Sequence, residues 1–288
     1  MTLTNFVVPP KFEEYQKKYK EHFIMERKDG ILMLRAHTQG KSVVWSAEMH
    51  RAIPQVLREI GADTENEVMI FTGTGEYWIA HLAESGKESG HDETAKRQWG
   101  SYNIQYLDGT KLQENLIFDI DIPTIGAING PGFHTEMLLM CDLTICSEDA
   151  VLIDVHYRAG LVPGDGVHCA LQELVGQKRA NYIMMMGEPI DAQKALDYGL
   201  VNEVVPKDKI YERAWEMAGQ LMKANRVQRR LTTQVVRKPW KRRIAEDLYG
   251  GFAHEMFAYN VETTTHDPAI GKSLFEEAGV KIKDWYDL

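Results

Sequence analysis

The stretch D-V-H-Y-R-A-G-L-V-P-G-D-G, residues 154–166, contains residue types that can catalyse proton transfer. His156 follows an apolar run, and Asp165 lies nine residues later inside a Pro-Gly-Asp-Gly turn. A neutral imidazole can accept a proton, and an adjacent carboxylate can fix its tautomer and stabilise the imidazolium. The spacing suggests a catalytic His-Asp pair in which a rigid turn holds the acid. A core histidine followed by a surface turn is the simpler alternative, and these residues alone leave it open.

Other histidines also follow turns or apolar runs. His134 comes after I-N-G-P-G-F and precedes M-L-L-M, and a metal site built from His134, His156, Asp165 and His168 is conceivable. No metal-ligand spacing supports that site. The chain has no G-x-S-x-G and no H-E-x-x-H, and Gly40-Lys41-Ser42 lacks the earlier glycine of a phosphate loop. We therefore expect neither a metal nor a nucleotide cofactor.

Composition excludes several classes of protein. The chain has 33 Lys and Arg against 42 Asp and Glu, a formal net charge of -9, which argues against nucleic acid as a partner. The basic run at 226–243 is expected to be a solvated helix face or a subunit contact. The three cysteines show no paired spacing. No apolar stretch approaches the roughly 18 residues of a membrane span. The first residues do not resemble a secretory signal. These features predict a cytoplasmic protein with no membrane association.

The elements that must position these residues alternate between strand and helix over residues 30–205, which predicts an α/β fold. A polar helix at 10–22 precedes a hairpin with a Lys-Asp-Gly turn, and Ser46 is the candidate N-cap of an amphipathic helix. V-L-I-D-V is predicted to be a strand, and V-H-C-A-L-Q-E-L-V a helix closed by Gly176. The predicted organisation is a core at 1–205, with its N-terminal helix and hairpin, and a helical segment at 206–288. The polar stretch 84–101 is either a lid over the site or a plain loop.

Four segments in order resemble the crotonase (enoyl-CoA hydratase/isomerase) superfamily over about residues 20–206. They are T-G-T-G-E-Y-W-I-A-H, A-I-N-G-P-G-F-H-T-E-M-L-L-M-C-D, A-G-L-V-P-G-D-G and M-M-G-E-P-I-D-A-Q-K-A-L-D-Y-G-L-V-N-E-V-V. The resemblance implies a crotonase-like ββα spiral with a C-terminal helical trimerisation segment. It also implies a homotrimer or a dimer of trimers.

The sequence departs from the CoA-using members at the positions that carry their chemistry. Their glycine cluster after the N-G turn is P-G-F-H-T-E here, which puts half of their oxyanion hole in doubt. The F-x-A-G-x-D motif has become W-I-A-H-L-A, in which Ala80 can still offer a backbone N-H. One hydratase glutamate is replaced by His156, while Glu136 matches the other. A CoA-dependent hydratase or isomerase using Glu136 is therefore the alternative function, and an inactive oligomeric scaffold is a second one.

The departures match the 6-oxocamphor hydrolase-like branch, the cofactor-independent β-diketone hydrolases. The matching segments are G-K-S-V-V-W, N-G-P-G-F-H, V-H-Y-R-A-G-L-V-P-G-D-G and F-A-H-E. The resemblance implies that water cleaves a C-C bond of a cyclic β-diketone by a retro-Claisen reaction that yields a keto acid. The roles it implies are a His156–Asp165 dyad, a carbonyl held by Trp45 and His134, water assisted by Glu255, and His50 lining the same pocket. With an ordinary pKa of about 6.5 for His156, activity should rise with pH near that value.

Overall fold

The chain begins with a short helix and a hairpin in a computed structural model that describes residues 7–83, 99–261 and 270–288. Helix α1 spans Phe12–Lys18, within the longer helix predicted at 10–22. Strands β1 (Phe23–Lys28) and β2 (Ile31–Ala36) pair antiparallel, as predicted. The two turn residues, Asp29 and Gly30, have φ of 52° and 81°, the backbone that a two-residue hairpin turn requires.

One six-stranded sheet forms the centre of the fold, with strand order β1-β2-β4-β6-β7-β10. Every neighbouring pair after β1–β2 is parallel. Two small sheets lie beside it, a parallel pair β3–β5 and an antiparallel pair β8–β9. The remaining strands are β3 (Val43–Trp45), β4 (Val68–Gly73), β5 (Ile79–Leu82), β6 (Thr124–Ile128), β7 (Leu143–Ser147), β8 (Val151–Leu152), β9 (Ile190–Asp191) and β10 (Glu203–Val205).

Helices connect these strands and account for most of the described residues after Pro206. Helix α2 begins where predicted, because the Ser46 hydroxyl accepts a hydrogen bond from the Met49 N-H at 3.3 Å. A π-helical segment spans Trp99–Asp108 and another spans Ile244–Leu248. The α-helices are α2 (Ala47–Ala62), α3 (Gly109–Phe118), α4 (Glu136–Leu139), α5 (Val167–Val175), α6 (Gln177–Met186), α7 (Ala192–Asp197), α8 (Ile210–Leu221), α9 (Arg226–Val236), α10 (Lys238–Arg243), α11 (Tyr249–Val261) and α12 (Ile270–Glu277).

The sheet is buried on both faces, and this explains its nearly continuous apolar strands. Alternate side chains of β2 point to opposite sides: Leu32 and Leu34 join the larger core, whereas Ile31 and Met33 join a smaller one under α8. The larger core contains α2, α3 and most of the remaining helices. The catalytic candidates all lie on this larger side of the sheet.

The basic run at 226–243, expected to be a solvated helix face or a subunit contact, is exposed over most of its length, but two of its arginines face the core. Arg229 and Arg237 are buried, with exposures of 7% and 1%. The Arg237 Nε donates to Asp142 Oδ1 at 2.7 Å, and its other nitrogens bond the backbone carbonyls of Ile120 and Ile122. Arg229 pairs with Glu67. These contacts join the C-terminal helices to the core and supply the counter-charge and hydrogen-bond acceptors that a buried cation needs.

Two further sequence predictions can be compared directly with the structure. The strand expected at V-L-I-D-V ends early, since β8 covers only Val151–Leu152 and the chain then turns toward the site. Gly176, with φ of 76°, does end α5. Most of the candidate lid, residues 84–98, lies outside the described residues. No helix among the described ranges has the length and apolarity to cross a membrane.

Candidate active site

The chain after β8 places His156 in a fixed orientation. The Asp154 carboxylate accepts the backbone N-H of His156 at 3.3 Å, and the same oxygen lies 2.6 Å from the Nδ1 atom of the ring. Both side chains are buried. Asp154 was not among the predicted site residues, although its position two residues before the histidine in D-V-H was a usable signal.

The Pro-Gly-Asp-Gly turn and α11 each bring one carboxyl group to the other nitrogen of His156. Asp165 Oδ2 lies 3.4 Å from His156 Nε2, and Glu255 Oε1 lies 3.7 Å from it. Glu255 reaches the site from α11, and its second oxygen accepts the Gly164 N-H at 3.1 Å. A Cβ at Gly164 would come within 2.1 Å of the Gly251 carbonyl oxygen, so only glycine permits this packing of turn on helix.

His134 lies on a loop that is hydrogen-bonded to the start of β5 and to Trp78 just before it. Phe133 donates its N-H to Ile79 in β5, and the Trp78 indole donates to the His134 carbonyl at 3.1 Å. These contacts hold His134 in the left-handed region, with φ of 52°. Its Nδ1 lies 3.0 Å from Asp165 Oδ2 and 3.2 Å from Glu136 Oε1. Asp165 therefore bridges the two histidines.

Trp45, His50 and Ala80 were predicted to bind the substrate. The Trp45 ring packs on the His134 ring with centroids 4.3 Å apart, and its distance to the His50 ring is 5.3 Å. Ala80 lies on the strand beside Trp45, at the point where the β3–β5 register shifts from Val43–Ile79 to Val44–His81. The structure thus joins Trp45 and His50 to the histidine cluster by direct ring contacts, and places Ala80 on the neighbouring strand.

The charges around the histidines determine their protonation. Burial by itself would lower the pKa of His156, but the carboxyl groups of Asp165, Asp154 and Glu255 raise it well above its usual value. Burial likewise opposes protonation of His134, and Glu136 and Asp165 overcome it to raise the pKa to about 10. Near neutral pH both rings are therefore imidazolium ions in the unliganded site.

The pKa values of the acids in the cluster are shifted in opposite directions. Burial would raise the pKa of Asp165, yet the positive charges of His156 and His134 hold it well below its usual range. Burial raises the pKa of Glu255 to about 8 and also raises the pKa of Glu136. Burial lowers the pKa of His50 to about 4, so this ring is neutral. The carboxyl of Glu255 therefore keeps its proton to higher pH than the carboxyl of Asp165 beside the same histidine.

A small cavity lies beside the cluster, and the cluster includes donor atoms that a metal ion could use. The cavity measures about 10 Å³, close to the room needed by one water molecule, and His134 and His156 are among its lining residues. Two sets of donor atoms, each within 4.8 Å of one another, are His134–Glu136–Asp165 and His156–Asp165–Glu255. Within the described ranges His168 belongs to neither set. Each histidine nitrogen in these sets already faces a carboxyl group, so ion pairing accounts for the arrangement.

A model of the enoyl-CoA hydratase/isomerase family matches residues 26–277. The chain belongs to this family, the crotonase superfamily. It is 30% identical over 205 residues to a hydroxycinnamoyl-CoA hydratase-lyase from Pseudomonas fluorescens, covering 70% of this chain and 73% of that protein. It is 32% identical over 174 residues to a probable mitochondrial enoyl-CoA hydratase 2 from Arabidopsis thaliana, covering 60% of this chain and 56% of the relative.

A solved crotonase-fold structure resembles the chain more strongly. The β-diketone hydrolase from the cyanobacterium Anabaena sp. PCC 7120, bound to (S)-3-oxocyclohexyl acetic acid, has a TM-score of 0.78 and 37% identity, covering 85% of this chain and 96% of that chain. The crotonase family and fold class predicted from the motifs are confirmed. The match also supports the predicted β-diketone hydrolase branch.

Proposed function

We propose that this crotonase-family protein hydrolyses a C-C bond of a cyclic or bicyclic β-diketone to give a keto acid. The observation that carries this proposal is the buried cluster in which His156 Nε2 faces two carboxyl groups while a second histidine and Trp45 lie beside it. Such a cluster combines a general base with hydrogen-bond donors for a developing oxyanion. Identity of 37% to a β-diketone hydrolase supports the same reading.

The reaction is a retro-Claisen cleavage in which water is the nucleophile. At a pH above its raised pKa, His156 is neutral and takes a proton from water. The hydroxide oxygen bonds to one carbonyl carbon to form a tetrahedral adduct. Collapse of the adduct breaks the bond to the carbon between the two carbonyls, and that electron pair becomes the enolate of the remaining ketone. The imidazolium returns its proton to the enolate carbon. The new carboxylic acid then ionises and releases one proton to solvent.

The remaining groups have roles that follow from their charges. Asp165 lies between the two histidines and stabilises the positive charge that His156 acquires during the reaction. Glu255, with Oε1 3.7 Å from His156 Nε2, can hydrogen-bond the attacking water. His134 binds carboxylates through Nδ1, so its Nε2-H and the Trp45 indole N-H are the donors for the enolate oxygen. A preorganised donor of this kind is typically worth about 100-fold to 1000-fold in rate.

The ligand named for the Anabaena relative fits this chemistry. It contains one ketone and one carboxylic acid, the two groups that water would generate by opening a bicyclic 1,3-diketone. A site for that reaction needs no thioester-binding glycine cluster. The segment P-G-F-H-T-E, which replaces this cluster here, is consistent with that difference.

The test is a direct comparison of two substrates. Purified protein with no added metal, nucleotide or CoA should consume a bicyclic 1,3-diketone, measured as loss of the β-diketone absorption band. A chelator should leave the rate unchanged, and His134→Ala should lower kcat by about 100-fold or more because a donor to the enolate is lost. Hydration of crotonyl-CoA without diketone cleavage, or activity lost to the chelator and restored by zinc, would contradict the proposal.

A CoA-dependent hydratase or isomerase activity is the second candidate, and one observation favours it. Glu136, which matches a hydratase glutamate, is buried in this site with its carboxyl 3.2 Å from His134. If this candidate is correct, Glu136→Gln should abolish crotonyl-CoA hydration and His156→Ala should have the smaller effect. The diketone proposal predicts the reverse order for diketone cleavage.

A further inference from the structure

We infer that Asp154 is the positioning residue that holds the proton on His156 Nδ1, leaving Nε2 as the basic nitrogen. The inference rests on the proposed role of His156 as general base, and it assigns to Asp154 the orienting role that the sequence suggested for Asp165. The contacts of the two ring nitrogens and the burial of Asp154 both point to this assignment.

The two nitrogens of His156 have contacts of different strength. Nδ1 lies 2.6 Å from Asp154 Oδ1, whereas Nε2 lies 3.4 Å from Asp165 and 3.7 Å from Glu255. At 2.6 Å a carboxylate oxygen and a ring nitrogen repel each other unless a proton lies between them. The neutral ring should therefore carry its proton on Nδ1.

A backbone hydrogen bond also holds the Asp154 side chain in place. The Asp154 oxygen that contacts Nδ1 also accepts the His156 backbone N-H at 3.3 Å. Both contacts join residues two positions apart, so they depend on the local turn after β8 rather than on distant packing. A third group orienting a base in this way is the arrangement found in hydrolase triads.

The buried Asp154 carboxylate also needs the positive charge of His156. The Asp154 side chain is 4% exposed, and its Oδ2 has no hydrogen-bond partner among the described residues. A buried carboxylate with so little solvation needs a nearby positive charge. The imidazolium of His156 provides that charge, so Asp154 stabilises the protonated state that forms when the base accepts a proton.

The opposite tautomer would leave the site without a base. A proton on Nε2 would point at Asp165 and Glu255, and the Nδ1 lone pair would then face the Asp154 carboxylate. No ring lone pair would face the side where Asp165, Glu255 and His134 converge. With Asp154 on Nδ1, the Nε2 lone pair faces that side and can take the proton of a water molecule.

The experiment measures the tautomer directly by ¹⁵N NMR of the histidine rings, with the His156 signals assigned by their absence in His156→Ala. In the wild type, above the pH at which His156 loses its charge, Nδ1 should be protonated and Nε2 unprotonated. Asp154→Asn keeps an acceptor oxygen but removes a negative charge, so the His156 pKa should fall. Asp154→Ala removes the acceptor too, and both tautomers should then be populated. Asp197→Asn, a change at an exposed aspartate, is the control and should alter none of these signals.

Kinetics supply a second readout with the diketone. Asp154→Ala should lower kcat by about 100-fold or more with little change in KM, since the base is misoriented but substrate contacts remain. Asp154→Asn should lower the pH midpoint of kcat, an effect that a purely structural residue would not produce. Asp154→Glu, which restores a carboxylate, should recover part of the rate.

The outcomes separate this inference from the proposed function. A wild-type neutral His156 with its proton on Nε2 would overturn the assignment, as would an unchanged His156 pKa in Asp154→Asn. If Asp154→Ala does not fold, the wild-type tautomer and Asp154→Asn still decide. An Nδ1-protonated His156 in a protein that cleaves no diketone would support the positioning role and overturn the proposed reaction instead.

Discussion

At the scale of single residues, the carboxyl groups around His156 determine when it can act as a base. Asp154, Asp165 and Glu255 stabilise the imidazolium and raise its pKa well above the usual value of about 6.5. Only the neutral ring accepts a proton, so activity should rise with pH, with a midpoint above 6.5 rather than near it. The sequence alone predicted a midpoint near 6.5, the ordinary pKa of histidine.

The pH profile of kcat/KM for diketone cleavage tests this expectation. Asp165→Asn should move the midpoint to lower pH because it removes a negative charge 3.4 Å from Nε2. Asp197→Asn should leave the midpoint where it is. A wild-type midpoint at or below 6.5 would show that His156 is not the titrating base of this site.

His156 and Asp165 should also behave as one unit in a double-mutant cycle. His156→Ala and Asp165→Asn should each lower kcat steeply, because the first removes the base and the second removes its counter-charge. The double variant should be little worse than His156→Ala alone, since residues acting together are strongly non-additive. Simple addition of the two losses, or near-full activity of His156→Ala, would remove the pair from the catalytic centre.

At the scale of elements, the packing of the Pro-Gly-Asp-Gly turn on α11 determines whether Glu255 reaches the site. Gly164→Ala should lower kcat and the melting temperature, because its Cβ would lie 2.1 Å from the Gly251 carbonyl oxygen and force the turn off the helix. Gly219→Ala is the matched control. Gly219 lies in α8 with no atom near its added Cβ, so this change should stabilise the helix by up to about 1 kcal/mol. Equal melting temperatures and rates for the two variants would contradict the packing argument.

At the scale of the whole molecule, α9 has its polar side inward and its apolar side outward. Arg229 and Thr233 are buried, as is Arg237 just after the helix, whereas Val227, Leu231 and Val235 are 63%, 55% and 73% exposed. Apolar side chains at every fourth position form one stripe, and exposed stripes of this kind usually mark an interface. We therefore expect the stripe to be covered by another copy of the chain.

Sedimentation measures this assembly. The protein should sediment at three or six times the 32.9 kDa mass of the chain. Leu231→Asp should shift it toward the monomer, since a carboxylate in an apolar interface is costly to desolvate. Lys20→Asp, at a side chain 69% exposed in the N-terminal part, should not change the mass. A wild-type monomer at micromolar concentration would contradict the expectation.

The sequence by itself determined features that depend on local backbone chemistry and on ordered motifs. The Asp29–Gly30 turn, the Ser46 cap and the Gly176 stop could be predicted because each depends on residues only a few positions apart. The motif order indicated the crotonase fold. It also singled out Trp45, His50, His134, His156, Asp165 and Glu255, which the structure joins in one cluster.

Only the tertiary structure decided which atoms of that cluster meet and which charges are buried. The sequence paired Asp165 with His156, but the distances place Asp154 on Nδ1 and leave Asp165 between two histidines. The sequence likewise gave no sign that Arg229 and Arg237 face the core. Pairing and pKa depend on ångström-scale separations and on desolvation by segments far apart in the chain, as when Glu255 of α11 reaches His156. Residue type and spacing carry no such distances, so these properties appear only once the chain has packed.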